Sequence, residues 1–399
     1  MVALLVSAAA PNTPREMTWI NNVRAVLPDG VETGLSIGIA PGKIAKITTE
    51  PGAHGIDGAG HLLMPGFVDM HGDMIEREVE PRPHVRMPME LGLRDLDRRL
   101  SSSGVTTAYA SVSFNPKSAY GHLRSHAHSM AMLRSLKAMR PTLGVDHRVH
   151  ARFEVNDPDA LGVGDTLIAE GTVDLGSLTD HTPGQGQYRD LERMAERHQS
   201  EGHSRDGAEA AIAERIREKQ ESAGDVLATL RRISQVCATA GIPLASHDDD
   251  TPEKVALMAD LGAVISEFPV TLTAARAAHD MGLMTAMGAP NALRGESYSG
   301  NLSARDAHAA GVLDILAADY HPSAILPAVL HFARNSAGGL PRAVDLAAAN
   351  PARALGFTDR GSLAIGQRAD LILADDTGVG RVRATFAAGD VVFSDGVLA

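Results

Sequence analysis

The chain is organised around Met64-Pro-Gly-Phe-Val-Asp-Met-His-Gly-Asp73. This segment begins as an apolar run of strand-forming residues, and it ends with His71 and Asp73 two positions apart. Side chains alternate along a β-strand, so these two point to the same face at the strand's carboxyl end. An imidazole and a carboxylate that converge on one point suit a divalent metal ion. The segment therefore predicts a strand that carries a pair of metal ligands at its end.

The middle of the chain alternates strand-like and helix-like segments. Predicted strands end near Asp73, Phe114, Glu154, His181, His247, Pro269, Pro290 and Tyr320. Eight strands with helical crossovers predict an α/β fold, a (β/α)8 TIM-like barrel, in which the active site gathers at the carboxyl ends of the strands. The charged segment at about 188–240 is predicted to be a solvent-exposed helical insertion, and a partner-binding arm is the alternative.

The two ends of the chain are predicted to pair into one small β-sandwich domain. Residues 17–62 and 358–399 both contain short β-like runs with glycine turns, and residues 63–357 hold the predicted barrel. We interpret residues 1–16 as an N-terminal extension or an alternative start, because Met17 begins the first convincing strand. The apolar run within 1–16 is too short to span a bilayer and lacks a basic leading segment.

The composition is that of an ordinary globular protein. Of 399 residues, 44% are hydrophobic and 22% charged, which is sufficient for a large core. The net charge of −12 argues against nucleic acid or an anionic membrane as the main partner. Cys237 is the single cysteine, which excludes an internal disulfide and favours the reducing cytoplasm. The composition leaves the oligomeric state open, a homo-oligomer included.

Five predicted strand ends carry candidate metal ligands. These are His71, Asp73, Glu154, His181, His247 and Asp319. Three histidines and three carboxylates at one rim of a barrel are sufficient for two divalent metal ions. Zinc is the first expectation, and manganese is the alternative because oxygen ligands are numerous. His147 and His150 lie upstream on the Glu154 strand, and we expect them to be buried rather than metal-bound.

Several motifs occur in an order that is characteristic of one family. The first strand ends His71-Gly-Asp73 and is followed by Glu76 and Pro81-Arg-Pro; further motifs are Thr179-Asp-His-Thr-Pro-Gly-Gln, Ala245-Ser-His-Asp-Asp, Glu267-Phe-Pro-Val-Thr, Gly288-Ala-Pro-Asn-Ala-Leu-Arg-Gly and Ala318-Asp-Tyr. Together they resemble the metal-dependent amidohydrolase superfamily, whose first strand usually ends H-x-H. The H-G-D variant resembles one branch, the α-D-ribose 1-methylphosphonate 5-triphosphate diphosphatases of the carbon–phosphorus lyase pathway. Glu296-Ser-Tyr-Ser departs from that pattern.

The resemblance implies a hydrolase that cleaves a ribose 5-triphosphate to the 5-phosphate and pyrophosphate. In this role Asp319 binds metal and acts as general base towards a metal-activated water. The substrate would be a small anionic sugar phosphate. Candidate substrate-binding residues on rim loops or beside the ligands are Arg82, Arg86, Arg152, Asn291, Arg294 and Ser299. Guanidinium groups are suited to this role because they bind phosphate oxygens bidentately.

Two other classes of protein stay open at this level. A C–N hydrolase, such as a cyclic amidase or a deaminase, uses the same metal-binding barrel, because function depends on the site and its loops rather than on the fold. A non-catalytic relative would act as a structural subunit. The arginines favour the diphosphatase, since a neutral cyclic amide would leave them unpaired. The complete set of ligands argues against a non-catalytic protein.

Overall fold

The computed structural model describes residues 17–82, 85–114, 123–157, 159–200, 202, 204–297 and 299–398. The predicted extension, residues 1–16, lies outside this part of the chain. The described residues form a barrel of eight parallel strands and a second sheet that is built from both ends of the chain. The predicted fold class is therefore confirmed.

The strands follow one another in chain order along the described residues. They are β1 (Thr18–Leu27), β2 (Gly30–Ala40), β3 (Lys43–Thr48), β4 (Ile56–Asp57), β5 (Leu62–Pro65), β6 (Phe67–Gly72), β7 (Val105–Phe114), β8 (Asp146–Glu154), β9 (Leu175–Thr179), β10 (Leu244–His247), β11 (Ala263–Glu267), β12 (Met284–Gly288), β13 (Ile315–Ala317), β14 (Leu371–Asp375), β15 (Arg381–Ala387) and β16 (Asp390–Ser394). Strands β6 to β13 form the barrel, and each ends within three residues of the position predicted from the sequence.

The helices lie mostly between consecutive barrel strands. They are α1 (Ile75–Val79), α2 (Met89–Ser101), α3 (His126–Met139), α4 (Ala160–Ala169), α5 (Leu191–Ser200), α6 (Arg205–Ala240), α7 (Pro252–Asp260), α8 (Leu272–Asp280), α9 (Ala289–Arg294), α10 (Ala304–Ala309), α11 (Ile325–Asn335), α12 (Gly339–Asp345) and α13 (Ala349–Ala354). Thr251 and Thr271 cap α7 and α8 by accepting from Lys254 N–H and Ala274 N–H. These caps start each helix shortly after its strand and satisfy N–H groups that have no partner within the helix.

The barrel closes between its first and last strands, β6 and β13. Asp69 Oδ1 accepts from Ala318 N–H at 2.9 Å. Asp319 N–H donates to the His71 carbonyl, and Asp73 N–H donates to the Asp319 carbonyl, both at 2.8 Å. These bonds place the end of the last strand beside the His71–Asp73 pair of the first.

The interior of the barrel is apolar near the amino ends of its strands. Val68, Met70, Leu175, Ala245, Ile265, Ala286 and Ile315 from the strands form one buried cluster with Ala352 and Leu355 from the α13 region. The α13 region therefore packs against the inside of the barrel from the amino ends of the strands. Polar side chains are left to gather at the carboxyl ends, where the cavity described below opens.

The sheet from the chain ends joins β14 to β5 in an antiparallel pair. Its order is β16-β15-β14-β5-β1-β2-β3, and β4 pairs with β1. The strands form one hydrogen-bonded path around an apolar core of their own, and both ends of the chain contribute to it as predicted. Gly66 connects this sheet to the barrel, and a Cβ there would lie 2.3 Å from Thr106 Oγ1. Only glycine fits this close approach without a shift of Thr106.

The charged segment predicted to be an insertion consists of α5 and α6. Its outer part has a small apolar cluster of its own, formed by Met194, Ala195, Ala208 and Ile212. The later part of α6 packs into the main core through Leu230, Ile233 and Cys237, so α6 is also the crossover to β10. Within the described residues, no helix combines the length and the apolar character needed to cross a membrane.

Candidate active site

A cavity of about 760 Å³ opens at the carboxyl ends of the barrel strands. Its wall contains nine of the predicted site residues: His71, Asp73, Arg82, Arg152, His247, Asn291, Arg294, Ser299 and Asp319. Glu154, His181 and Arg86 lie outside this wall. The structure therefore brings most of the predicted residues together in one wall. His181 and its partner Glu154 lie just behind that wall, with the His181 ring 6.2 Å from that of His247, whereas Arg86 is turned away from the site.

His71, Asp73 and Asp319 form the centre of the site, which we call the central trio. One ligand atom from each lies within 4.8 Å of the others. Asp73 Oδ1 is buried and has no hydrogen-bond partner among the described residues. A Cβ at Gly288 would lie 3.1 Å from Asp319 Oδ2, so the glycine leaves room for this carboxylate. An imidazole and two carboxylates at this spacing fit a divalent metal ion.

The pKa values of the two carboxylates in the trio differ. Burial and, to a smaller extent, the neighbouring Asp73 carboxylate raise the pKa of Asp319 to about 6. Burial would also raise the pKa of Asp73, but the Arg152 guanidinium and His71 hold it below its usual value. Asp73 therefore stays ionised, while Asp319 can exchange a proton near neutral pH in the metal-free protein.

Three strand ends at the cavity share an unusual backbone conformation. Asp248, Phe268 and Asp319 have φ values of 55°, 52° and 55°. This left-handed region is unfavourable for residues with a Cβ. Each donates its N–H to a carbonyl of the adjacent barrel strand, on Glu267, Ala286 and His71 respectively. The bonds extend the sheet by one position and hold the sharp turns beside the site.

A second set of buried polar groups lies directly behind His71. His71 Nδ1–H donates to Glu267 Oε1 at 3.0 Å, and Ser177 Oγ donates to Glu267 Oε2 at 2.8 Å. His150 Nε2 lies 3.7 Å from Glu267 Oε2. Burial would raise the pKa of Glu267, but His150 and His71 hold it well below its usual range. The charged carboxylate fixes Nδ1 as the protonated ring nitrogen of His71 and leaves the opposite nitrogen for the trio.

Sequence reasoning missed the contribution of His150 and Glu267. His150 is fully buried as expected, yet its ring is 5.2 Å from that of His71, and it forms a potential ligand group with His71 and Glu267. Two signals were available in the sequence. Glu267 is a carboxylate at a strand end, and His150 shares a strand face with Arg152 and Glu154.

We expect Glu267→Gln to weaken metal binding. Glutamine keeps an acceptor for His71 Nδ1–H but removes the charge that orients and polarises the ring. Loss of such a carboxylate costs about 10–100-fold in metal affinity. Titration of Zn²⁺ against a chelating dye measures the change, with Glu253→Gln, an exposed position in the first turn of α7, as the control. Equal affinities for the two variants would contradict the role given to Glu267.

The remaining predicted ligands are paired in other ways. Glu154 accepts from His181 twice, at 3.0 Å from the backbone N–H and at 2.6 Å from Nδ1. His247 Nε2 accepts from Arg152 Nη2 at 3.2 Å, and its Nδ1 lies 3.0 Å from Asp248 Oδ2. The six predicted ligands are thus divided into the central trio, a Glu154–His181 pair and a His247 that contacts Arg152.

Several arginines line the cavity, and one of them had no signal in the sequence. Arg124 makes a bidentate contact with Glu76, at 2.9 Å from both Nε and Nη2. Arg294 lies at the rim, where Nη2 is 3.5 Å from Glu296 Oε1. Arg86, by contrast, is half exposed outside the cavity, and its Nε donates to Glu80 at 3.1 Å. The structure therefore supports Arg124 rather than Arg86 as part of the cavity wall.

The loop after α9 forms another side of the cavity and is braced from two directions. Asn291 Oδ1 accepts from Ala304 N–H at 2.9 Å, so its amide holds the loop as well as facing the cavity. Ser299 N–H donates to Ser297 Oγ at 3.3 Å. Gly300 lies against Arg193 of α5, and a Cβ there would be 1.7 Å from the guanidinium. The helical insertion therefore supports the loop that carries Ser299.

Comparison with known proteins identifies the class. The chain belongs to the amidohydrolase family, whose sequence pattern matches residues 62–392. It is 35% identical over 361 residues to the α-D-ribose 1-methylphosphonate 5-triphosphate diphosphatase of Escherichia coli (strain K12), an alignment that covers 89% of this chain and 94% of that protein. The resemblance drawn from the motifs is confirmed, and the protein is a metal-dependent hydrolase.

Solved structures of similar fold come from several organisms. A 5-methylcytosine deaminase from Klebsiella pneumoniae has a TM-score of 0.63 at 17% identity, with 94% of this chain and 97% of that one covered. N-isopropylammelide isopropylaminohydrolase from Burkholderia multivorans ATCC 17616 also has a TM-score of 0.63 at 17% identity, with 96% of this chain and 100% of that one covered. N-acetyl-D-glucosamine-6-phosphate deacetylase from Mycobacterium smegmatis has a TM-score of 0.62 at 16% identity, with 95% of this chain and 100% of that one covered. At these identities the likeness concerns the fold alone.

Proposed function

We propose that this protein hydrolyses the α,β-phosphoanhydride of α-D-ribose 1-methylphosphonate 5-triphosphate to give the 5-phosphate and pyrophosphate. The observation that carries the proposal is the cavity itself, where the central trio lies among arginines. The arginines in its wall are Arg77, Arg82, Arg124, Arg152 and Arg294. The same wall carries six carboxylates, namely Asp73, Glu76, Glu80, Asp248, Glu296 and Asp319. What suits a polyphosphate is therefore the set of guanidinium donors together with a bound metal ion, and not a net positive charge of the wall. The E. coli relative, a diphosphatase for this compound, supports the same substrate.

The chemistry follows from the groups at the centre of the site. A divalent ion bound by the central trio would lower the pKa of a water and neutralise charge on the phosphoryl group. The Asp319 carboxylate accepts a proton from the attacking water and returns it to the leaving pyrophosphate oxygen. One water is consumed, and one P–O bond forms as another breaks.

The arginines act on the charge that the phosphates carry throughout the reaction. A phosphoryl group in transfer spreads negative charge over its outer oxygens, so catalysis depends on positioning and electrostatic stabilisation. Arg152 lies beside the trio, with Nη1 3.9 Å from Asp73 Oδ2. Arg82 lies on the loop between α1 and α2 and would hold the outer phosphates. Arg124, which is paired with Glu76, would contribute from its own place in the wall.

We expect Arg82→Ala to lower kcat/KM for the triphosphate by roughly ten- to a hundredfold, which corresponds to about 1.5–3 kcal/mol for a charge-assisted contact. Arg86→Ala is a matched comparison, because Arg86 lies only four residues further on but outside the cavity. Its effect should be small. Steady-state kinetics with metal content measured in parallel gives both values. Equal effects of the two substitutions would remove Arg82 from the substrate site.

A substrate screen tests the proposed class of reaction against C–N hydrolysis. Purified protein loaded with Mn²⁺ or Zn²⁺ is incubated with ribose 5-triphosphates and, separately, with cyclic amides and aminopyrimidines. Released pyrophosphate and released ammonia are measured, and cyclic-amide opening is followed by loss of absorbance. We expect pyrophosphate from the triphosphates alone. Turnover of an amide or amine with no pyrophosphate from any triphosphate would overturn the proposal in favour of a C–N hydrolase.

A further inference from the structure

We propose that the active site holds one divalent metal ion, bound by His71, Asp73 and Asp319, and that the guanidinium of Arg152 supplies the second positive charge in place of a second ion. The inference replaces the two-ion site predicted from the sequence. It concerns the metal count and holds whichever substrate is hydrolysed. Its failure would therefore leave the proposed function standing, and the reverse is also true.

Arg152 occupies the space between the central trio and His247. It lies on β8 two residues before Glu154, and its side chain is only 7% exposed. Nη2 donates to His247 Nε2 at 3.2 Å, and Nη1 is 3.9 Å from Asp73 Oδ2. A guanidinium keeps its proton under all ordinary conditions, so this group is a permanent cation at the site. A second divalent ion here would lie against a like charge.

His247 has no lone pair left for a metal ion in this arrangement. A neutral imidazole has one accepting nitrogen and one donating nitrogen. Nε2 accepts from Arg152, so Nδ1 carries the hydrogen, and it lies 3.0 Å from Asp248 Oδ2. Lys254 Nζ donates to the carbonyls of His247 and Asp248 at 2.9 and 3.1 Å, which fixes this turn. Metal binding by His247 would require Arg152 to leave.

The Glu154–His181 pair is likewise committed to internal contacts. Both carboxylate oxygens of Glu154 accept from His181, one from its backbone N–H and one from its ring. Neither residue lines the cavity, and the His181 ring lies 6.2 Å from that of His247, behind the wall. The paired geometry therefore gives these residues the role of shaping the rim between β8 and β9.

The buried group of His71, His150 and Glu267 does not compete for the ion. The two carboxylate oxygens of Glu267 accept from His71 Nδ1–H and from Ser177 Oγ. Neither His150 nor Glu267 reaches the cavity wall. This group holds the ring of His71 through Nδ1. The other ring nitrogen of His71 is then left for the single ion of the central trio.

Metal counting tests the proposal directly. The full-length protein is stripped of metal, loaded with Mn²⁺, separated from free ion and measured by elemental analysis and by electron paramagnetic resonance. We expect about one equivalent and the spectrum of an isolated Mn²⁺ ion. His247→Asn should keep that equivalent, and Asp73→Ala, which removes both carboxylate oxygens, should lose it. About two equivalents with an exchange-coupled spectrum, or loss of metal in His247→Asn, would overturn the proposal.

Variants of Arg152 test whether its guanidinium supplies the second positive charge in place of a second metal ion. Arg152→Met removes the charge and frees His247 Nε2, so we expect binding to rise from about one to about two Mn²⁺ equivalents. Arg152→Lys keeps a cation and should stay at one. Circular dichroism and thermal melting establish that both variants are folded. A folded Arg152→Met protein that binds one equivalent would contradict the assignment of the second charge to Arg152.

Discussion

Replacement of Asp319 by asparagine should lower kcat by about 10²–10⁴ while the metal ion stays bound, the usual range for loss of a positioned general base. Asparagine keeps the shape of the side chain and one oxygen ligand, but it has neither the basic lone pair nor the charge. The arginines in the cavity are unchanged, so the substrate should still bind. Steady-state kinetics at saturating Mn²⁺, with metal content measured on the same preparation, separates loss of the base from loss of the ion.

Asp280→Asn is the control for this experiment, because Asp280 is exposed at the end of α8, away from the cavity. It should retain normal kcat. If Asp319→Asn also turns over at a near-normal rate with its metal in place, the proton acceptor is another group. Asp248, which lies in the cavity wall beside His247, would then be the next residue to replace.

Arg152→Met should lower kcat by about 10²–10³ when Mn²⁺ is limited to one equivalent, since a fixed charge at the reacting group contributes this much in comparable sites. The guanidinium is buried and close to Asp73, so its field acts at the centre of the site with little screening by solvent. Arg152→Lys keeps the charge but loses the planar fork, and we expect it to retain more activity than the methionine variant.

Arg148, on the same strand, provides the comparison for Arg152. Its Nε and Nη2 both lie 3.0 Å from Asp146 carboxylate oxygens, near the amino end of the strand and outside the cavity. Arg148→Met should affect thermal stability more than kcat. If Arg152→Met has normal kcat with one Mn²⁺ bound, a fixed positive charge at this position is not needed for the reaction.

The sequence predicted the barrel and its rim well because both depend on local patterns. The strand ends at Asp73 and His247 can be recognised from a mostly apolar run that stops at polar residues. Parallel strands place such ends at one edge, so the meeting of His71 and Asp73 with Asp319 follows from the fold once eight strands are counted. The closure of the barrel then needs no further information from the sequence.

What the sequence could not predict is which partner each polar side chain chooses. Glu154 and His181 were expected to face a metal, but they lie close enough to bond to each other. Arg152 was expected to bind substrate, and its contact with His247 depends on a side-chain conformation that no local pattern specifies. Arg124 follows no strand-end pattern, and its place in the cavity is set by the ion pair with Glu76. These are contacts between residues far apart in sequence.

Phosphorus NMR of the reaction with α-D-ribose 1-methylphosphonate 5-triphosphate measures the proposed activity at the bond that breaks. The metal-loaded protein is added to the triphosphate, and the products are followed until the substrate is consumed. We expect pyrophosphate and the ribose 5-phosphate in equal amounts, with no orthophosphate, and much slower formation of both by Asp319→Asn. Orthophosphate with a 5-diphosphate as the products, or no turnover by the metal-loaded protein, would contradict the proposed function.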